Sequence, residues 1–335
     1  MPIPIAENLI EEILEKFDYS ISEYEIIDME EYKGWSSEYL YLIVSASDNF
    51  VLKAKTLEQT AGYDNEVKVS FELINNKVPS RLPIITKKGT LFHEQYGYHW
   101  CLMTYIPGAA SHITEYNEKT VKSLAKHIDQ YIVSAVSGSS LANLKLNESK
   151  KKSELSIITR LYSEKAYLEE KGFLNIAHID TLYSTLIDGH NKFLKDLKVE
   201  SIIHNDINPR NILIDHKSKE VVSLIDWDHV KYGNPLKDLS DAVTMFYDYF
   251  HIEVATSFRD TFYNSFNSKW YTGIKTEAVE YAFLFYYTVS KWRAILFYLD
   301  LLREYDNKYG EKEKFINEIK QNYSKWVNTI TSVTA

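Results

Sequence analysis

His204, Asp206 and Asn211 stand in "SIIHNDINPRN", at the junction of apolar strand-like runs, and Asp226 follows Asp206 by twenty positions in "LIDWD". A carboxylate buried without a partner is costly. Acids at the margins of apolar strands therefore require hydrogen-bond donors or a cation. Two arrangements meet that requirement: a hydrogen-bonded structural corner, or a place where a cation and a reacting group are held. Asp and Asn are common in turns, and for any one of these residues the two readings weigh the same. Asp206, Asn211, Asp226 and Asp238 taken together, flanked by apolar strands, favour the site.

The elements that must position these residues follow from pattern. Ile5 to Phe17 has apolar residues at helical spacing. "YEIIDMEEY", "EYLYLIV" and "NFVLKAK" are rich in β-branched and aromatic residues, and "SASDN" supplies a turn between the last two. Residues 58–76 return to helix, with Val67, Phe71 and Ile74 on one predicted face. "RLPIIT", "TLFHEQY" and "YHWCLMTYI" read as three further strands, closed by Pro107 and Gly108. Beyond Gly108 the pattern predicts helices near 116–136, 150–170, 175–197, 236–268, 274–305 and 310–330, interrupted by short strands at about 211–215 and 221–226. The Ser-, Asn- and Lys-rich run 137–153 reads as a surface loop.

Composition sets the outer bounds. The 335 residues, 45% hydrophobic and 25% charged, suit one large domain or two lobes with a sizeable core. A net charge of −9 argues against a general polyanion-binding surface, and so against nucleic acid as a partner. A single cysteine, Cys101, excludes an internal disulfide framework and a multi-cysteine zinc site. Ten histidines form no H-E-x-x-H cluster, which disfavours metal hydrolases. "MPIPIAENLIEEILEKF" carries acids where a signal peptide needs basic and apolar segments, so a cytoplasmic protein is expected. The run "YAFLFYYTVSKWRAILFYLDLL" is interrupted by Lys291 and Arg293 and reads as a core helix, with no membrane partner. No protein partner is evident.

"HNDINPRN" matches H-x-D-x-x-x-x-N, and in "LIDWDHVKYGNPLKDLSD" Asp226 stands where the metal-binding Asp of D-F-G stands. With the layout above, these motifs resemble the protein-kinase-like small-molecule kinases: the aminoglycoside phosphotransferase and choline kinase families, with homoserine and methylthioribose kinases as relatives. The resemblance implies an α+β, protein-kinase-like bilobal fold. Residues 1–105 would form a small β-rich nucleotide-binding N-lobe, and residues 106–335 a larger, mainly helical lobe for catalysis and substrate. It implies ATP and Mg²⁺ as cofactors and a small-molecule hydroxyl as acceptor.

Site residues carry over from the same resemblance. Asp206 is the catalytic residue that accepts or orients the acceptor proton, and Asn211 and Asp226 are the magnesium ligands. Lys53 contacts the α- and β-phosphates and Glu66, thirteen residues on, pairs with it, with Lys55 and Glu58 as competing assignments. The phosphate-covering loop is degenerate: "YKGWSSEYLYLIV" offers Gly34 with the hydroxyls of Ser36 and Ser37, and a plain hairpin turn reads the same. Backbone groups near Met103 and Tyr105 would face adenine. His204 and Asp238 would brace the loop. Asn205 fills a position where the family often has glycine, and Asp228 is either a second carboxylate at the metal or a polar contact to substrate.

The acceptor is less sharply marked. Asp241, Asp248 and Trp292, among many tyrosines, suggest a cationic alcohol such as choline, ethanolamine or an amino sugar, since cation–π contacts contribute about 0.5–2 kcal/mol each. Aromatic helix faces are also ordinary core. Homoserine or a neutral sugar remains as the alternative acceptor. A non-catalytic nucleotide-binding module on the same fold is a third reading, against which Lys53, Asp206 and Asp226 are all retained. A protein kinase is disfavoured, because no A-P-E segment follows Asp226 and a helix begins within about a dozen residues.

Overall fold

Alternating β-branched and aromatic residues in the first hundred positions build an antiparallel sheet whose two faces have different tasks. The protein is seen here in a computed structural model that describes residues 7–19, 23–29, 39–56, 60–110, 113–136, 140–146, 153–173, 176–194, 200–304 and 312–334. Helix α1 (Glu7–Leu14) precedes strands β1 (Tyr24–Asp28), β2 (Tyr39–Ser45) and β3 (Asn49–Thr56). Helix α2 (Thr60–Asn75) and strands β4 (Pro83–Ile84), β5 (His93–Gln95) and β6 (Tyr98–Thr104) follow. The strand order is β1-β2-β3-β6-β4, with β5 also paired to β6. The Ser45 hydroxyl bonds the Asp48 carbonyl at 2.6 Å and accepts the Asp48 N–H at 3.2 Å, which makes the β2–β3 turn.

Side chains alternate across a strand, and β3 shows the consequence. Phe50, Leu52 and Ala54 join a core with Ile10, Ile13, Phe17 and Trp100. Val51, Lys53 and Lys55 therefore point to the other face, where Cys101 and Met103 pack with Val67 of α2. The helix 58–76 is present, but its expected apolar face is corrected: Phe71 is 43% exposed. Val67 is buried as expected, but its buried companions are Asn65, Glu66, Val69, Ser70 and Leu73. Glu66 belongs to the inward face because the sheet opposite carries Lys53, a pairing that hydrophobic periodicity does not register.

In chain order the rest comprises β7 (Ala109–Ala110), α3 (Glu118–Val136), α4 (Glu154–Glu170), α5 (Ile176–Gly189), β8 (Ser201–Ile203), β9 (Ile212–Ile214), β10 (Val221–Leu224) and β11 (Lys231–Gly233). Helices α6 (Leu236–Tyr249), α7 (Ile252–Tyr263), α8 (Lys269–Thr272), α9 (Thr276–Glu304) and α10 (Lys312–Thr334) complete it. The single helix expected over 236–268 is broken, because Phe250 and His251 take extended conformations between α6 and α7. Most of the loop expected at 137–153 lies outside the described residues.

Two compact units result: Met1–Ser149 with His204–Tyr232, and Lys150–Ile203 with Gly233–Ala335. The sequence reading set the boundary at 105/106. The structure instead keeps α3 and the β9–β10 hairpin with the sheet, through bonds that periodicity cannot show. The Gln130 amide donates to the Lys77 carbonyl at 2.9 Å, the Ser223 hydroxyl to Pro79 at 3.0 Å, and β7 pairs with β9. Gly108 suits that crossing, since a Cβ there would lie 2.9 Å from a methyl of Val222 and the side chain would have to shift.

The second unit is helical around α9, whose Tyr287 and Trp292 are fully buried. The Tyr287 hydroxyl bonds Thr329 at 2.9 Å and the Trp326 indole bonds Thr288 at 3.0 Å, so α10 is joined to α9 by satisfied polar groups as well as apolar packing. Arg303 grips Glu164 of α4 with two bonds of 2.9 and 2.7 Å, a bidentate geometry that fixes helix orientation. Among the described residues no helix is long and apolar enough to cross a membrane.

Buried His127 of α3 supplies a stability signature. Burial lowers its pKa from the usual 6.5 to about 4, outweighing the opposing hydrogen bond to the Pro79 carbonyl. The unfolded chain thus binds a proton between these values that the native ring refuses. Stability from this group is full above 6.5 and is lost as pH falls toward 4. From pH 7.5 to 5 the loss is about 2 kcal/mol. His127→Gln should remove that share, read as the difference between variant and wild type in urea unfolding at the two pH values. Parallel pH dependences in the two proteins would show that His127 does not titrate this way.

Candidate functional site

Lys53 is the centre of a buried ionic cluster in the first unit. Its Nζ lies 3.0 Å from Glu66 Oε2 and 2.5 Å from Asp226 Oδ1. Antiparallel pairing with Cys101 sets Lys53 on the face that α2 covers, and Val67 packing on Cys101 and Met103 brings the adjacent Glu66 to it. Burial opposes charge on Lys53, but Asp226, Glu66 and Asp228 outweigh it and hold the ammonium above its ordinary pKa. The same burial raises the pKa of Glu66 against the pull of Lys53. For Asp226 burial also works against ionisation, and Lys53 and Lys55 overcome it, so this carboxylate is held ionised. Lys55, considered as a competitor to Lys53, has a partner of its own: its Nζ lies 2.5 Å from Asp228 Oδ2.

The segment 204–211 is tied by its own side chains. His204 Nε2 donates to the Ile225 carbonyl at 2.9 Å, and its ring packs on Trp227 at 4.5 Å between centroids. Asn205 holds φ at 63° and donates from Nδ2 to the His229 carbonyl at 3.1 Å. Asp206 Oδ2 accepts from Asn211 at 2.9 Å and from Asn208 at 3.1 Å. Asn211 also donates to the Asp206 carbonyl at 2.9 Å. Its amide nitrogen is thereby spent on Asp206, so the amide oxygen, an acceptor only, is the atom that would meet a cation. Asn208 was not expected to matter beyond filling a variable place. It restrains Asp206 and caps the turn before Asn211, accepting from Arg210 N–H at 3.0 Å, and the Asn-Pro dipeptide at 208–209 was the available signal.

The hairpin then brings Asn211 and Asp226 to one end. Leu224 pairs with Ile212, and the Ile225 N–H donates to the Asn211 carbonyl at 2.9 Å. Asp226 itself has φ 66° and ψ 56°, a left-handed conformation that Asp tolerates better than most residues. Asn205 and Asp226 thus hold two strained backbone positions, and such strain concentrates at sites that use it. Among the described residues no group of three or more His, Cys, Asp or Glu side chains forms a metal site. An amide oxygen with one ionised carboxylate still suits magnesium, which keeps several waters and takes few protein ligands.

The remaining candidates have varied placements. Met103 is buried in β6, and the Tyr105 N–H donates to the Asn49 carbonyl at 2.8 Å. Gly34, Ser36 and Ser37 lie outside the described residues, as does Glu58. In the second unit Asp238 is fully buried in the first turn of α6. Asp241 is bound by Lys237 and Asp248 by Lys291. Trp292 is a core residue against Trp326, 5.3 Å between ring centroids.

Residues 164–271, about a third of the chain, match the model of the phosphotransferase enzyme family. No curated protein sequence matches the chain. Among solved structures, spectinomycin phosphotransferase in complex with ADP and spectinomycin superposes with a TM-score of 0.66 at 19% identity, covering 98% of this chain and 99% of that one. A microcompartment-associated aminopropanol kinase gives 0.63 at 13%, covering 98% of each chain. Amicoumacin kinase with AMP-PNP, Ca²⁺ and Ami gives 0.61 at 12%, covering 95% of this chain and 94% of that one. At such identities the likeness is one of fold. The α+β protein-kinase-like fold that the motifs implied, a small antiparallel sheet domain with a larger helical part, is therefore borne out. The family match contains Asp206, Asn211 and Asp226 but not Lys53 or Glu66, which join them through the ion pairs described above.

Proposed function

We propose that this chain is an ATP-dependent small-molecule kinase that moves the γ-phosphate to a hydroxyl of a cationic alcohol. The observation that carries the reading is the cluster Lys53–Glu66–Asp226 beside a loop that restrains Asp206 and Asn211. Phosphoryl transfer consists largely of positioning and charge stabilisation, with little covalent chemistry left to the protein. Lys53 is the phosphate-contacting cation, and Glu66 keeps it pointed into the site. Asp206, with Oδ2 fixed by two amides, has its other carboxylate oxygen to take or orient the acceptor proton. Asn211 and Asp226 would hold magnesium, which supplies charge neutralisation along the phosphates when bound.

Support for a cationic acceptor is of two kinds. The chain carries −9, a field that draws cations and repels anions. An aminopropanol kinase and aminoglycoside phosphotransferases share its fold, and their acceptors join amine to alcohol by name. Contact support from the helical unit is weaker, because Asp241 and Asp248 already bind Lys237 and Lys291. They would receive an ammonium group only by exchanging a lysine for it. ADP release measured over matched charged and neutral alcohols, amino sugars and amino acids tests the reading. Turnover is expected with aminated acceptors and to fall by an order of magnitude or more when the amine is replaced, since losing a paired charge costs at least ~1.4 kcal/mol. Activity confined to homoserine or neutral sugars rejects the cationic acceptor and retains the kinase. No ADP release with any alcohol, alongside nucleotide binding, favours the non-catalytic module.

A further inference from the structure

Two lysines and two aspartates meet in matched order. Lys53 and Lys55 are two residues apart on β3 and so share one face, as the alternation of a strand requires. Asp226 and Asp228 are two residues apart in the turn after β10. Lys53 takes Asp226 and Lys55 takes Asp228, each across 173 residues and each at 2.5 Å. The inner pair belongs to the proposed phosphate and metal chemistry. The outer pair supports the charges of the inner one and is the more buried: the side chains of Lys55 and Asp228 are 2% and 3% exposed.

Burying two charges is expensive, and a hydrophobic pair of similar volume often does as well for stability. Retaining such a pair next to a candidate metal residue therefore calls for a use. The turn 225–229 shows one. His204 holds the carbonyl of Ile225, Asn205 holds the carbonyl of His229, and Lys55 holds the Asp228 side chain between them. These grips enclose Asp226, whose left-handed backbone is the strained point of the turn. Fixing the neighbours of Asp226 on both sides favours that conformation over the more common ones.

We propose that Lys55 is a positioning residue: by anchoring Asp228 it fixes the turn that aims Asp226 at the metal, and it keeps Asp228 itself out of the metal's coordination. The proposal rests on the reading of Asn211 and Asp226 as the magnesium-holding pair. Groups that orient a metal's ligands change metal affinity or activity by about 10–100-fold when removed. The same range is expected here, expressed only where the metal takes part.

The test is ADP affinity by calorimetry, with Mg²⁺ and with EDTA, for the full-length wild type, Lys55→Met, Lys55→Arg and Asp228→Asn. Lys55→Met and Asp228→Asn should lose about tenfold or more in Mg²⁺ and change little in EDTA, while Lys55→Arg, which keeps the charge, should retain most of the Mg²⁺ effect. In turnover, the Mg²⁺ concentration for half-maximal rate should rise in Lys55→Met with the acceptor KM unchanged. Equal affinity losses with and without metal would overturn the proposal, since they indicate general loosening of the fold. So would a wild-type Mg²⁺ response in Lys55→Met. If Lys55→Met does not fold, Asp228→Asn, which keeps the shape, is read by the same criteria. A wild type with no Mg²⁺-dependent ADP affinity removes the metal assignment itself, and this proposal with it.

Discussion

Asp206→Asn is expected to lower turnover by about 10²–10⁴-fold while ADP binding stays near wild type, because the change removes the proton-accepting group and nothing else. The geometry makes the substitution unusually clean. Asp206 Oδ2 receives N–H groups from Asn208 and Asn211, and an amide oxygen accepts both as a carboxylate oxygen does. The variant's NH₂ then occupies the other position, where it presents protons in place of a lone pair. Loop geometry and the Asn211 orientation survive. Asp206→Ala removes the acceptor for both amides, so it should lose the same chemistry and also loosen Asn211. Comparing the two in steady-state rate and in ADP calorimetry separates base from scaffold. Near-full phosphoryl transfer by Asp206→Asn to its acceptor would show that the catalytic assignment is wrong.

What was legible in the sequence is what local pattern encodes. Apolar alternation marked β2, β3 and β6, and the spacing from His204 through Asn211 to Asp226 marked a hairpin with acids at its end. Asn205 shows how a departure from a motif becomes intelligible with coordinates. At φ 63° the position suits glycine, and Asn is among the few other residues that visit that region readily, with a side chain here that adds a bond to His229. The misreadings share one cause. Phe71 was placed inward, and the buried partner of Lys55 went unseen, because hydrophobic periodicity does not register a face that buries carboxylate against lysine. A carboxylate 173 residues away is what determines where Lys55 goes. Hydrogen bonds from Gln130 and Ser223 to the 77–79 segment, which join α3 and the hairpin to the sheet, are likewise invisible to periodicity. Helical spacing predicts the pairing of Asp241 with Lys237 at i and i+4, but not that of Asp248 with the distant Lys291.

Asp226→Ala should abolish the metal-dependent part of nucleotide binding and leave a metal-independent part in place. Wild type with ADP at 100 times its Kd gains about 2.7 kcal/mol of stability by linkage, and chelating the metal should reduce that gain. Asp226 contributes to both charge balance and metal holding, so the variant's baseline must be separated from its ligand response. Removing the carboxylate takes an ion-pair partner from buried Lys53, and breaking a buried pair costs about 3–5 kcal/mol where nothing compensates. Glu66 remains at 3.0 Å and limits that loss. Lys53 then faces phosphate with less competition, which preserves or strengthens binding of ADP in EDTA. The decisive quantity is therefore the difference between Tm shifts with Mg²⁺ and with EDTA, taken within each protein. That difference should be positive in wild type and close to zero in Asp226→Ala. Asp226→Asn, which keeps an oxygen but loses the charge, should fall between them, because magnesium binds a neutral amide oxygen more weakly than a carboxylate. An undiminished Mg²⁺ increment in Asp226→Ala would mean that the metal is held elsewhere in the chain.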